Sequence, residues 1–126
     1  MEIIETEYGY KEVYCNGNIY HYNHQGELHN PSGPAIEYVD DSKFYYVNGK
    51  LHRADGPAVE YDGGLKVYHL NGVRHRSDDD WGPAFEYPDG DKAYYKQGVL
   101  HNPHGFAVIT KKHKLNFLNG KYVWKL

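Results

Sequence analysis

Five glycines, Gly26, Gly49, Gly72, Gly98 and Gly120, lie 23, 23, 26 and 22 residues apart, and the first four open the same short phrase. A histidine follows three residues later at His29, His52, His75 and His101. Gly-Pro-Ala comes next at 33–35, 56–58 and 82–84, with Gly105, Phe106 and Ala107 in the fourth place. Glu-Tyr then recurs at Glu37/Tyr38, Glu60/Tyr61 and Glu86/Tyr87. Such a period constrains the fold strongly, because each unit must be a small element that buries its apolar side against its neighbours. Units span 18–42, 43–65, 66–91 and 92–113, between half units at 7–17 and 114–126, within a single domain covering 1–126.

Local chemistry sets what each unit is. Asn48-Gly49, Asn71-Gly72 and Asn119-Gly120 are type I′ hairpin signals, since both central positions need positive φ. Gln25-Gly26 and Gln97-Gly98 hold the same place less ideally. Asp55-Gly56-Pro57 turns the chain again, and Asp62-Gly63 and Asp89-Gly90 lead into the next unit. No helix-length segment escapes these punctuators. The expected fold is all-β: an antiparallel meander of tandem hairpin repeats, with roughly ten short strands in one elongated sheet.

Strand alternation sorts the side chains. Phe44, Val67, Ala93 and Leu115 share one phase with Tyr46, His69, Tyr95 and Phe117, while Tyr45, Tyr68 and Tyr94 take the other. Ile36, Val59, Phe85 and Val108 of the returning strand are expected in the core. So are Tyr38, Tyr61 and Tyr87, together with Leu28, Leu51 and Leu100. The closing strand 122–126 either caps the sheet or pairs with a second copy as a homodimer.

Composition narrows the function. Fourteen tyrosines carry much of the apolar content, which suits half-buried sheet surfaces. A formal charge of −3 makes nucleic acid an unlikely partner, and no apolar run reaches membrane-spanning length. Cys15 is the only cysteine, and the acidic N-terminus is unlike a signal peptide, so a cytoplasmic setting is the simplest expectation. Ser32, Ser42 and Ser77 sit in no nucleophile motif, and Cys15 reads as a small packing residue in a strand. No phosphate loop is present, so neither catalysis nor a cofactor is expected.

The phrase Asn-Gly-x-x-His-Arg-x-x-Gly-Pro-Ala-x-Glu-Tyr, complete at 48–61, resembles the MORN-repeat superfamily in a divergent phage, viral and bacterial form. The resemblance covers nearly everything from Lys11 onward. It departs in carrying His-Arg or His-Asn and Gly-Pro-Ala in place of the usual Tyr-x-Gly and Gly-x-Gly patterns. It implies a β-repeat fold acting as a protein-interaction or lipid-contact platform. For a small viral protein, it suggests an accessory factor that binds and occludes a host protein, found in the host cytoplasm.

Three features compete as sites. The four histidines should line up along the sheet, roughly 10 Å apart at two rungs per unit, too far to share an ion through bonds of about 2 Å. Each is expected to bond a backbone group or the Asp of its own turn. Arg53 and Arg76 should lie opposite their histidines. With Lys50, Lys66 and Lys92 they could make a basic stripe beside Tyr45, Tyr68 and Tyr94 for a nucleotide or other small anion. The favoured alternative is a solvated face balanced by Glu37, Glu60 and Glu86. Finally, Asp78, Asp79, Asp80 and Trp81 belong to a three-residue insertion that breaks the third unit, and Trp81 is the natural anchor for a protein partner.

Overall fold

In the computed structural model, which describes residues 1–76 and 82–123, each unit walks out of one long sheet and back into it. The second unit shows the path. Strand Lys43–Phe44 lies in the long sheet, Tyr45 steps out of the ladder, and Tyr46–Val47 with Lys50–Leu51 forms a separate hairpin. The chain then loops through 52–57 and re-enters as Val59–Glu60, antiparallel to its own start.

Repeating this path gives an eleven-stranded antiparallel sheet, assembled in chain order, with four two-stranded hairpins beside it. The all-β meander expected from the repeat is the observed architecture. No helix occurs among the described residues, so none there is long and apolar enough to cross a membrane. The strands are more numerous than expected, nineteen among the described residues, because the residue at each step-out splits one run into two. A five-residue strand, Glu2–Thr6, also precedes the units and pairs with Gly9–Val13.

The turns follow the sequence with one exception. Asn48 (φ 49°) and Gly49 (φ 79°) both adopt positive φ, as do Asn71/Gly72, Gln97/Gly98 and Asn119/Gly120. Gln25 does not, and only Gly26 is left-handed in the first hairpin. There the Asn23 Oδ1 accepts from the N–H groups of Gln25 (3.0 Å) and Glu27 (2.9 Å), which favours a wider loop.

Register gives the two faces different characters. Ile36, Phe44, Val59, Val67, Phe85, Ala93, Val108 and Leu115 are successive cross-strand partners, so one face carries a continuous apolar row. The adjoining row, on the other face, reads Glu37, Lys43, Glu60, Lys66, Glu86, Lys92. Opposite charges face each other at every step, which stabilises this pairing over a slipped one.

The core is thin. Only Ala35, Ala58, Ala84 and Ala107 have no exposed surface among the described residues. Ile36, Val59 and Val67 are buried, whereas Phe85, Val108, Leu28, Leu51 and Leu100 are half-buried. Tyr61 and Tyr87, expected inside, are 44% and 46% exposed, because no second layer covers the apolar face. Aromatic rings cover one another instead, edge to face: Tyr20–Tyr38 (6.2 Å), Tyr38–Phe44 (5.6 Å) and Phe44–Tyr61 (5.6 Å).

The alanines sit where each unit closes. The Ala35, Ala58, Ala84 and Ala107 carbonyls accept from the N–H groups of His21, Tyr45, Tyr68 and Tyr94, each at 2.7 Å. Little space remains for a larger side chain at such a closure. Ala58→Leu is therefore expected to destabilise the protein by about 1–3 kcal/mol through overpacking, read as a lower urea midpoint.

Candidate interaction surface

The loops that join hairpin to sheet are built by the residue after each histidine. Arg53 donates through Nη1 to the Pro57 carbonyl (3.2 Å) and to Glu60 Oε1 (2.7 Å), and through Nε to Asp55 (3.2 Å). Arg76 repeats the pattern, donating to the Pro83 carbonyl (3.4 Å) and Glu86 Oε1 (2.9 Å). Where the sequence has asparagine, Asn30 and Asn102 donate to the equivalent carbonyls of Pro34 (3.0 Å) and Phe106 (2.9 Å). Arginine and asparagine do the same local work, holding the Gly-Pro loop shut. The arginines add a stacking contact, with guanidinium carbons 3.9 Å from the Tyr45 ring centre and 4.2 Å from that of Tyr68.

Open clefts lie between successive loops on this charged face. One, of about 740 Å³, has Asn30–Pro34 as one wall and Tyr45, Val47, His52 and Arg53 as the other. The next, of about 360 Å³, runs between Arg53–Pro57 and Tyr68, Leu70, His75 and Arg76. His52 and His75 thus each share a cleft with the arginine that follows, contrary to the expected opposition. The reason is that strand Lys50–Leu51 ends before His52, so two-residue alternation no longer applies.

The other candidates fall as follows. Lys66 stands between Glu60 and Glu86, and Lys92 beside Glu86, so the register makes alternating charge rather than a basic stripe. The equivalent of Arg53 beyond Tyr94 is Asn102, so that aromatic has no matching arginine in its own unit. Asp78, Asp79, Asp80 and Trp81 lie outside the described residues, as do residues 124–126 of the closing strand. Cys15 is exposed in a turn rather than packed in a strand.

The histidine row holds units together. The N–H of Asn48 donates to His29 Nδ1 (2.9 Å), Asn71 to His52 (2.9 Å), Gln97 to His75 (3.2 Å) and Asn119 to His101 (2.8 Å). Each imidazole bonds a backbone group as expected, but in the next unit's turn rather than its own. An accepting Nδ1 puts the proton of the neutral ring on Nε2. Among the described residues, no three His, Cys, Asp or Glu side chains gather to hold a metal ion. No family model, curated protein or solved structure matches the chain.

Two expectations follow from the histidines. Removing one acceptor, as in His52→Ala, should cost about 1 kcal/mol in urea unfolding. Burial lowers the pKa of His101, with Lys96 adding to the effect, and burial also lowers those of His21 and His69. A folded-state value below the ordinary one means that the unfolded chain takes up protons first. This contribution to stability is intact above pH ~6.5 and is lost as pH falls through the lower folded values. The melting temperature should therefore drop between pH 7.5 and 5.5, and a flat profile would refute the linkage.

Proposed function

We propose that the protein is a non-catalytic interaction module of MORN-like character, which binds a partner protein along its clefted face and occludes a surface of that partner. The observation that carries this reading is the recurrence of open clefts at the repeat spacing, each walled by a Gly-Pro loop and floored by a tyrosine. Two rungs per unit set neighbouring clefts about 10 Å apart, a spacing that suits an extended polypeptide surface. The arginines that line them are already tied to Glu60 and Glu86, so the polar groups on offer are loop backbone, Ser32 and the highly exposed Asp55. The acidic insertion with Trp81 lies in the sequence between Arg76 and Gly82, which stand close together beside these loops, and we propose that it extends the contact.

A second reading has its own support: Arg53 on Tyr45 and Arg76 on Tyr68 form stacked pairs inside the clefts, an arrangement suited to a nucleotide or other small anion. The two separate experimentally. A partner recovered by affinity capture and purified should bind Asp55→Arg and Trp81→Ala variants at least about tenfold more weakly, while nucleotides leave the melting temperature unchanged. Full binding by both variants, or a nucleotide-dependent rise in melting temperature, would remove the favoured reading.

A further inference from the structure

The opposite, apolar face contains one place where the repeat is broken in chemistry rather than in length. Each hairpin sets an apolar pair across its two strands: Tyr46 opposite Leu51, Tyr95 opposite Leu100, Phe117 opposite Tyr122. In the third unit the same two positions are His69 and Arg74. The fold does not require a polar pair here, since the neighbouring units manage without one.

Nor does the surrounding structure satisfy the pair. His69 is 9% exposed, and its Nδ1 is buried without a hydrogen-bond partner, as is the Arg74 Nε. Arg74 Nη1 reaches the Tyr95 hydroxyl at 3.4 Å, and its guanidinium lies 5.0 Å from the Phe85 ring centre and 5.1 Å from that of Tyr95. No carboxylate pairs with it among the described residues. The remaining nitrogens, His69 Nε2 and Arg74 Nη2, are left for a ligand. Both residues line a groove of about 320 Å³ whose other walls include Phe44, Tyr61, Val67 and Phe85. A cation without a counter-ion in an apolar groove favours an anion, and the walls favour an apolar body attached to it.

We propose that this groove binds a small monocarboxylic acid with an aromatic or branched aliphatic body, its carboxylate held by Arg74 and His69. The body rests on Phe44, Tyr61 and Phe85. A buried imidazole beside a guanidinium is held neutral, and in that form Nε2 can still donate its proton to the carboxylate. The site is on the face opposite the clefts, so it stands or falls independently of the protein-binding reading.

The test is a nuclear magnetic resonance titration of the full chain with phenylacetate and 3-methylbutanoate, against their amides and a short peptide ending in a phenylalanine carboxylate. The acids should shift signals of Val67, His69, Arg74 and Phe85, and the amides should not. Arg74→Leu restores the residue that the neighbouring units carry, so it should fold with an unchanged or higher melting temperature. It should bind the acids at least about tenfold more weakly, the loss of a charge-assisted hydrogen bond. His69→Tyr should act in the same direction. Three results would overturn the proposal: no response to either acid at millimolar concentration, equal binding of acid and amide, or undiminished binding by Arg74→Leu. Binding of the peptide alone would also overturn it, in favour of a polypeptide terminus.

Discussion

A type I′ turn points its first central N–H away from its own ladder, and this fold supplies the acceptor from the unit before. The Asn71 N–H meets His52 Nδ1, while the Gly72 N–H meets the Leu51 carbonyl at 2.7 Å and the Arg53 N–H meets that of His69 at 3.2 Å. Backbone N–H donors of this sort stack hairpin on hairpin beside the long sheet, three at each of the junctions through His29, His52 and His101. The histidine and its donor are 19 residues apart at His29 and His52, 22 at His75 and 18 at His101. The third interval contains the insertion, yet its bond survives at 3.2 Å. The histidine bond is therefore kept across a longer unit.

The faces of this sheet have separate means of specifying register. On one, alternating glutamate and lysine make each correct pairing attractive, so displaced pairings forfeit that complementarity. On the other, half-buried aromatics make edge-to-face contacts with residues from the adjoining rung. A thin sheet without a covering layer gains little from deep burial, and among the described residues the fully enclosed apolar side chains are alanines. Most of its cohesion must come from neighbours in the ladder, which is the energetic pattern of a linear repeat.

Much of this architecture was legible in the sequence. Asn-Gly pairs marked the hairpins, and alternation correctly separated Phe44 and Tyr46 from Tyr45. What periodicity could not show was which neighbour a side chain meets. His52 was expected to bond a backbone group or the Asp of its own turn; its partner is a backbone group, the Asn71 N–H of the next turn. Arg53 and Arg76 read as either a solvated face or ligand contacts, with Asn30 and Asn102 at the equivalent places; the shared carbonyl partner makes all four alternative closures of one loop. Tyr61 and Tyr87 were misplaced because alternation assigns a face without saying whether anything covers it. Cys15 falls outside a strand because the second strand, Gly9–Val13, ends two residues before it, which leaves residue 15 to the turn.

These outcomes change where function should be sought in a repeat. A residue present in every unit already has a reason to be there, since every junction needs its acceptor and every loop its closure. Departures from the unit have no such reason. Two departures fall in the third unit: the three-residue insertion that carries Asp78, Asp79, Asp80 and Trp81 in the sequence, and His69 with Arg74 on the apolar face. The second costs stability where it stands, because two buried nitrogens lack partners in positions that neighbouring units fill with Tyr and Leu. An arrangement that the fold does not need, and that opposes its stability, is the kind of feature that binding rather than folding explains.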